Sequence, residues 1–156
     1  MEKHEAINEI LNDLVKINND RITGYERAIK ESKDLDIDLK AIFEEMIRQS
    51  TAYKEELTIC IQNDGGVVED DTTASGKIYH AWMEIKSTFT DSDRHSILSA
   101  CEFGEDAAQR AYEAALASDA LSDHEIRLLV EEEKNSLKKS HDMIKRERNA
   151  HEVFQK

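Results

Sequence analysis

Proline is absent from this chain of 156 residues, and glycine occurs only five times. Because these two residues most often form turns, their scarcity argues strongly against a β-sandwich or barrel, which needs many turns. Aromatic residues make up only 6% of the chain, and there are two cysteines. We expect Cys60 and Cys101 to be free thiols, with a disulfide between them as the alternative. What remains is an all-α fold made of a few long helices.

Long apolar runs are also missing. None approaches the roughly 20 residues that a membrane-spanning helix needs, and the acidic, amphipathic N-terminal segment does not resemble a signal peptide. The net charge is −13, which would repel a phosphate backbone. We therefore expect a protein that binds neither a membrane nor nucleic acid. The two free thiols favour a reducing cytoplasm. The excess of bases in residues 134–156 is interpreted as the solvated end of a last helix. A homo-oligomer and a basic protein partner both stay open.

Hydrophobic residues recur every three or four positions along most of the chain, which is the pattern of amphipathic helices that pack on one core. On the first helix this stripe is traced through Asn18, Ile22 and Tyr25. The pattern predicts a single four-helix-bundle domain over residues 1–156, with a short extra helix. The helices are predicted at about 3–32, 37–63, 75–89, 93–118 and 123–154.

The segments between the predicted helices contain cap and turn residues, and their lengths indicate how the helices are connected. One aspartate of residues 34–38 is expected to cap the second helix, and Ser122 with Glu125 forms a capping box before the last helix. Residues 63–66, Asn-Asp-Gly-Gly, are expected to end the second helix with a left-handed glycine. Connections after the first and third helices are short, which predicts two antiparallel hairpins. The link between the second and third helices is about thirty residues and contains the short helix, which predicts one long crossover.

Four segments spread over nearly the whole chain carry a resemblance to a known family. They are residues 18–26 (NNDRITGYE), 80–86 (HAWMEIK), 101–108 (CEFGEDAA) and 140–145 (SHDMIK). Through them the chain is similar to a bacterial family of ferritin-like four-helix proteins of unknown function. The resemblance implies a ferritin-like bundle of two hairpins. It also implies the di-iron centre that the ferritin-like superfamily commonly holds between its helices.

The same resemblance indicates where iron ligands would lie. Helices 1 and 3 of the superfamily commonly carry a glutamate seven residues before an aromatic, and helices 2 and 4 commonly carry Glu-x-x-His. Only two of the six matching positions are carboxylates, whereas a di-iron site uses about four carboxylates and two imidazoles. No Glu-x-x-His occurs in the chain. The matching positions are Glu105 and Glu133, which are weak candidate ligands, and the degenerate Asn18, Ser50, Tyr53 and Ser136.

These substitutions favour a non-enzymatic ferritin-like bundle with a degenerate di-iron site and no cofactor, for which a stress-related role is one option. The four uncharged side chains would then hydrogen-bond to one another and to the two acids as a polar layer. The alternative is an oxidase or storage protein that holds iron or another divalent metal on Glu105 and Glu133, with nearby acids such as Glu26 and Glu102. A third interpretation is an acidic module that binds a basic protein.

Other chemistry-bearing residues have simpler interpretations. Asp142 could orient His141 for acid–base work, but a solvated histidine on a basic helix is favoured because no nucleophile motif accompanies it. Cys101 is expected to be inert, since the neighbouring acids raise a thiol pKa. Trp82 is expected to pack the crossover helix onto the bundle.

Overall fold

The computed structural model describes residues 2–32, 36–69 and 94–155, with side chains described between residues 5 and 150 of those ranges. Over this part, the chain forms four helices and no strand: α1 (Glu2–Glu31), α2 (Ile37–Asn63), α3 (Arg94–Ala117) and α4 (His124–Gln155). The prediction of an all-α four-helix fold is thus confirmed. The extra helix predicted at 75–89 lies outside the described residues. None of the described helices is both long and apolar enough to cross a membrane.

The helices pack as two hairpins, α1 against α2 and α3 against α4, and α1 also packs on α3. Hydrogen bonds fix the direction of this last pair. Asn18 Nδ2 donates to Tyr112 Oη at 2.9 Å, and further along α1 Arg21 Nε donates to Glu105 Oε1 at 2.7 Å. As the number rises on α1 it falls on α3, so these two helices are antiparallel.

The ends of the bundle show that α2 and α3 run in the same direction. Arg94, the first residue of α3, pairs with Asp38 in the first turn of α2 at 2.7 Å. The end of α2 at Asn63 and the start of α3 at Arg94 therefore lie at opposite ends of the bundle, about 40 Å apart for a helix of this length. Asn12 on α1 holds the chain just after α2, because its Nδ2 donates to the Val67 carbonyl at 2.9 Å.

The caps of α2 and α4 agree only in part with the prediction. Asp36, one of the predicted aspartates, is the N-cap residue of α2, but its side chain makes no capping hydrogen bond and instead pairs with Arg94 at 3.2 Å. Before α4 the cap is Asp123 and not Ser122, since Asp123 Oδ1 accepts the backbone N–H of Ile126 at 3.1 Å. The reason is the helix start: α4 begins one residue after Asp123, whose carboxylate also suits the positive end of the helix dipole.

The end of α2 has the predicted left-handed glycine. Gly65 has φ +78°, and its N–H donates to the Gln62 carbonyl at 3.0 Å, while the Gly66 N–H donates to the Ile61 carbonyl at 2.9 Å. This pair of bonds is a Schellman motif, which satisfies two carbonyls that the helix would otherwise leave open.

Replacing Gly65 with alanine is expected to lower the free energy of unfolding by about 1 kcal/mol, because an L side chain is strained at positive φ. An added Cβ would meet nothing within 4 Å, so the cost is conformational and not steric. Gly65→Asn is the control and should cost less, since asparagine tolerates this conformation. Urea unfolding followed by circular dichroism measures both, and an alanine variant as stable as the wild type would contradict the expectation.

The apolar interior consists of two clusters along the bundle. One lies around Leu11, Leu57 and Tyr112, and the other around Tyr25, Phe43 and Leu98. On every helix, buried polar residues lie between the members of the two clusters. The name polar layer is used here for eight residues of this zone, without Asp20 and Glu102: Asn18, Arg21, Gln49, Ser50, Glu105, Glu133, Ser136 and Ser140. Cys60 packs against the first cluster and Cys101 belongs to the second, and both are free thiols.

Candidate functional site

Arg21 lies at the centre of the polar layer, with its side chain only 1% exposed. Its Nε donates to Glu105 Oε1 at 2.7 Å. Its Nη1 donates to Ser50 Oγ at 2.8 Å and to the Met46 carbonyl at 3.1 Å, and its Nη2 donates to Gln49 Oε1 at 3.2 Å. One guanidinium therefore binds α2 and α3 to α1. Gln49 Oε1 also accepts from Ser140 at 2.9 Å, which brings α4 into the same network.

Glu105 is the counter-charge of Arg21 and is fully buried. Its Oε1 accepts a second hydrogen bond from Tyr25 Oη at 2.5 Å. Burial alone would lower the pKa of Arg21, but the charge and hydrogen bond of Glu105, together with the nearby tyrosines, outweigh it and the pKa is raised. Burial and Glu105 together raise the pKa of Tyr25 well above its usual value, so the phenol stays a neutral donor. The centre of the layer is thus a closed ion pair with no net charge.

Glu133 forms a second, separate group. Its Oε1 accepts from Tyr112 Oη at 2.7 Å, and Tyr112 Oη in turn accepts from Asn18 Nδ2 at 2.9 Å. Burial raises the pKa of Glu133 to about 8, although the hydrogen bond from Tyr112 opposes the shift. The Glu133 carboxyl is therefore mostly protonated at neutral pH. Its second oxygen has no hydrogen-bond partner among the described residues.

The structure brings the six predicted ligand positions together in pairs and not in one group. Those pairs are Ser50 and Glu105 through Arg21, Asn18 and Glu133 through Tyr112, and Tyr53 with Ser136 by a direct hydrogen bond. Of the two further acids considered from the sequence, Glu26 is exposed, and Glu102 is buried beside α4. Neither bonds to the polar layer in the described contacts.

Arg21 is the functional residue that the sequence pattern missed. The predicted stripe passes through Ile22, which is only half-buried, whereas Arg21 is buried. Either position fits three-to-four spacing between Asn18 and Tyr25, and hydrophobicity favours isoleucine. The sequence does contain one indication of a buried cation, which is Glu105, because a carboxylate on a buried stripe needs a cation or several hydrogen-bond donors near it.

The polar layer does not fit the di-iron centre that the fold resemblance implies. Glu105 is already neutralised by Arg21, and a dication beside it would lie against a fixed guanidinium charge. Glu133 holds its proton near neutral pH, and no histidine is present in the layer. Three buried oxygens accept no hydrogen bond from the described residues: Asn18 Oδ1, Glu105 Oε2 and Glu133 Oε2. An amide, a protonated carboxyl and one carboxylate cannot balance the charge of two metal ions.

A different group has ligands suited to a metal. Glu102 and Asp106 on α3 and His141 on α4 each bring one ligand atom within 4.8 Å of the others. Within the described ranges, no other three acidic, histidine or cysteine side chains approach one another this closely. Partial burial alone would lower the pKa of His141, but Asp142 and Asp106 outweigh it and the pKa is raised.

The fold and the polar layer define a four-helix bundle whose buried centre holds an arginine–glutamate ion pair. A family model described as "Domain of unknown function (DUF2383)" matches residues 6–118. The chain belongs to this family. The matched residues include most of α1, all of α2 and all of α3, and therefore Arg21 and Glu105, whereas Glu133 and His141 lie beyond them. No curated protein matches the sequence.

Proposed function

We propose that this protein is a non-enzymatic four-helix bundle of ferritin-like topology in which the Arg21–Glu105 ion pair replaces the di-iron centre. The observation that carries the proposal is the 2.7 Å contact between Arg21 Nε and Glu105 Oε1, with both side chains at most 1% exposed. A guanidinium neutralises the buried carboxylate as a metal would, but it supplies neither an open coordination position nor a redox couple.

The topology supports the ferritin-like part of the proposal. The described helices form two antiparallel hairpins in which α2 is parallel to α3, and these helix directions are those of the one-crossover bundles of that group. The family description names no function, so the proposal rests on these contacts. The two free thiols suit a reducing compartment such as a bacterial cytoplasm.

The role proposed for the polar layer is to fix the register of the helices. Arg21 donates to acceptors on α2 and α3 that a one-turn slip would leave without this partner. Each buried, unpaired polar group costs about 1–3 kcal/mol, so slipped packings are disfavoured. A glutamate and a tyrosine are capable of proton transfer to a substrate. The side chains of Glu133 and Tyr112 are at most 2% exposed, however, so a substrate cannot reach them.

The proposal is tested by iron chemistry in solution. The full chain, purified without chelator, is titrated anaerobically with ferrous iron and then exposed to oxygen. We expect no absorption of a coupled diferric centre and no iron oxidation above the rate in protein-free buffer. Two irons per chain together with a diferric spectrum would overturn the proposal, whereas iron at a single mononuclear site would leave the polar layer unaffected.

A further inference from the structure

We propose that Glu102, Asp106 and His141 form a binding site for one divalent transition-metal ion of the zinc type, on the α3–α4 face of the bundle. The site shares no residue with the polar layer, and its test does not depend on the proposed function. Glu102 and Asp106 are one helical turn apart and therefore lie on one face of α3. The hairpin brings His141 of α4 against that face.

The contact between His141 and Asp106 needs a positive charge. His141 Nε2 lies 2.5 Å from Asp106 Oδ1, while His141 Nδ1 lies 3.1 Å from Asp142 Oδ1. A neutral imidazole has one proton for its two nitrogens, so one of these nitrogen–oxygen contacts would join two acceptors. In the structure this charge is a second proton, because 2.5 Å is a hydrogen-bond length, whereas two ligand atoms of one zinc ion lie roughly 3 Å apart or more. A zinc ion would replace that proton and move Nε2 and Oδ1 slightly apart.

The position of Asp142 beside His141 Nδ1 favours His141 as a metal ligand over an ordinary surface histidine. A histidine that binds a metal almost always donates its other N–H to a carboxylate or carbonyl, which orients the ring and makes the free nitrogen more basic. Asp142 is placed at Nδ1 to do so, and it leaves Nε2 directed at Asp106. A nitrogen with two carboxylates is a donor set that suits zinc, with a further position for water.

The charge of the surroundings matches a dication. Glu102, Asp106 and Asp142 supply three negative charges and Arg148 supplies one positive charge, which gives −2 for these four groups with neutral His141. Arg148 Nη1 makes an ion pair with Glu102 Oε2, although that buried oxygen receives no hydrogen bond from the described residues. Arg148 thus holds the Glu102 carboxylate in place on this face of the bundle.

The test is zinc titration of the full chain by isothermal calorimetry, with Mg²⁺ as the probe for a purely carboxylate site. We expect one Zn²⁺ site that His141→Ala and Asp106→Asn each weaken at least about tenfold, and Asp142→Asn by about 10–100-fold as a ring-orienting residue. His124→Ala is the matched control, because His124 is an exposed histidine on the same helix, and it should leave zinc affinity unchanged. All four positions are at the surface or half-buried, and circular dichroism checks that each variant folds.

Two results would overturn the proposal. One is a wild-type chain that binds no zinc, which would mean that a proton alone fills the gap between His141 and Asp106. The other is zinc binding that survives His141→Ala unchanged or that His124→Ala reduces equally. A visible spectrum with Co²⁺ that contains the bands of a nitrogen-ligated ion, and that His141→Ala abolishes, supports the assignment independently of the calorimetry.

Discussion

Arg21→Met is expected to lower the free energy of unfolding by about 3–5 kcal/mol. The substitution keeps a side chain of similar length but leaves the buried Glu105 carboxylate without its partner at 2.7 Å. The loss of a buried counter-charge costs more than the loss of the ion pair as a whole. The double variant Arg21→Met, Glu105→Leu is therefore expected to recover most of the stability, since apolar replacements of buried pairs are often neutral or stabilising.

The matched control is Arg48→Met, which removes an ion pair of the same type at the surface. Arg48 contacts Glu45 within α2, with the two side chains 66% and 55% exposed. Such exposed pairs contribute about 0–1 kcal/mol, so the control should unfold close to the wild-type midpoint. Guanidinium unfolding followed by circular dichroism measures all variants. If the free energy of unfolding of Arg21→Met lies within about 1 kcal/mol of that of Arg48→Met, the buried pair contributes no more than an exposed pair, which would contradict the expectation.

Glu133→Gln is expected to remove a pH dependence of stability between about pH 4.5 and pH 8. The pKa of native Glu133 is about 8, whereas its ordinary value is 4.5, so between these pH values the native carboxyl keeps a proton that the unfolded chain releases. Unfolding is then coupled to proton release, and stability falls as pH rises through this window. The difference corresponds to at most about 5 kcal/mol, at 1.36 kcal/mol per pH unit.

Glutamine is a suitable probe because its carbonyl oxygen accepts the Tyr112 hydrogen bond and its side chain stays neutral at every pH. The variant should match the wild type near pH 4.5 and be more stable by several kcal/mol at pH 8, as the linkage relation requires. The control, Glu132→Gln, changes the exposed neighbour and should keep the wild-type pH profile. Urea unfolding at a series of pH values gives both curves, and parallel curves for Glu133→Gln and the wild type would contradict the expectation.

The parts of this fold that the sequence predicted depend on local patterns. The helices follow from hydrophobic spacing, and the turn at Gly65 follows from the need for a left-handed residue after α2. Asp123 shows the limit of such patterns: with two adjacent capping residues, a shift of one position in the helix start decides which of them caps.

The two sites were harder to predict because they depend on contacts between helices. Arg21 and Ile22 are both compatible with the stripe of α1, and only the position of Glu105 across the interface decides which one is buried. The sequence favours a solvated histidine at His141 because it shows only the neighbour Asp142. Its contact with Asp106 depends on the register of the α3–α4 hairpin, which hydrophobic spacing on each helix leaves undetermined.

The most direct test of the ion pair as the replacement for a metal centre is crystallographic. Crystals of the full chain, grown anaerobically with ferrous iron and measured at the iron absorption edge, locate any bound iron by its anomalous signal. We expect no iron peak at the carboxylates of Glu105 and Glu133, and continuous density between the Arg21 guanidinium and Glu105. An iron peak between these two carboxylates, with the Arg21 side chain displaced, would contradict the claim that the Arg21–Glu105 ion pair replaces the di-iron centre.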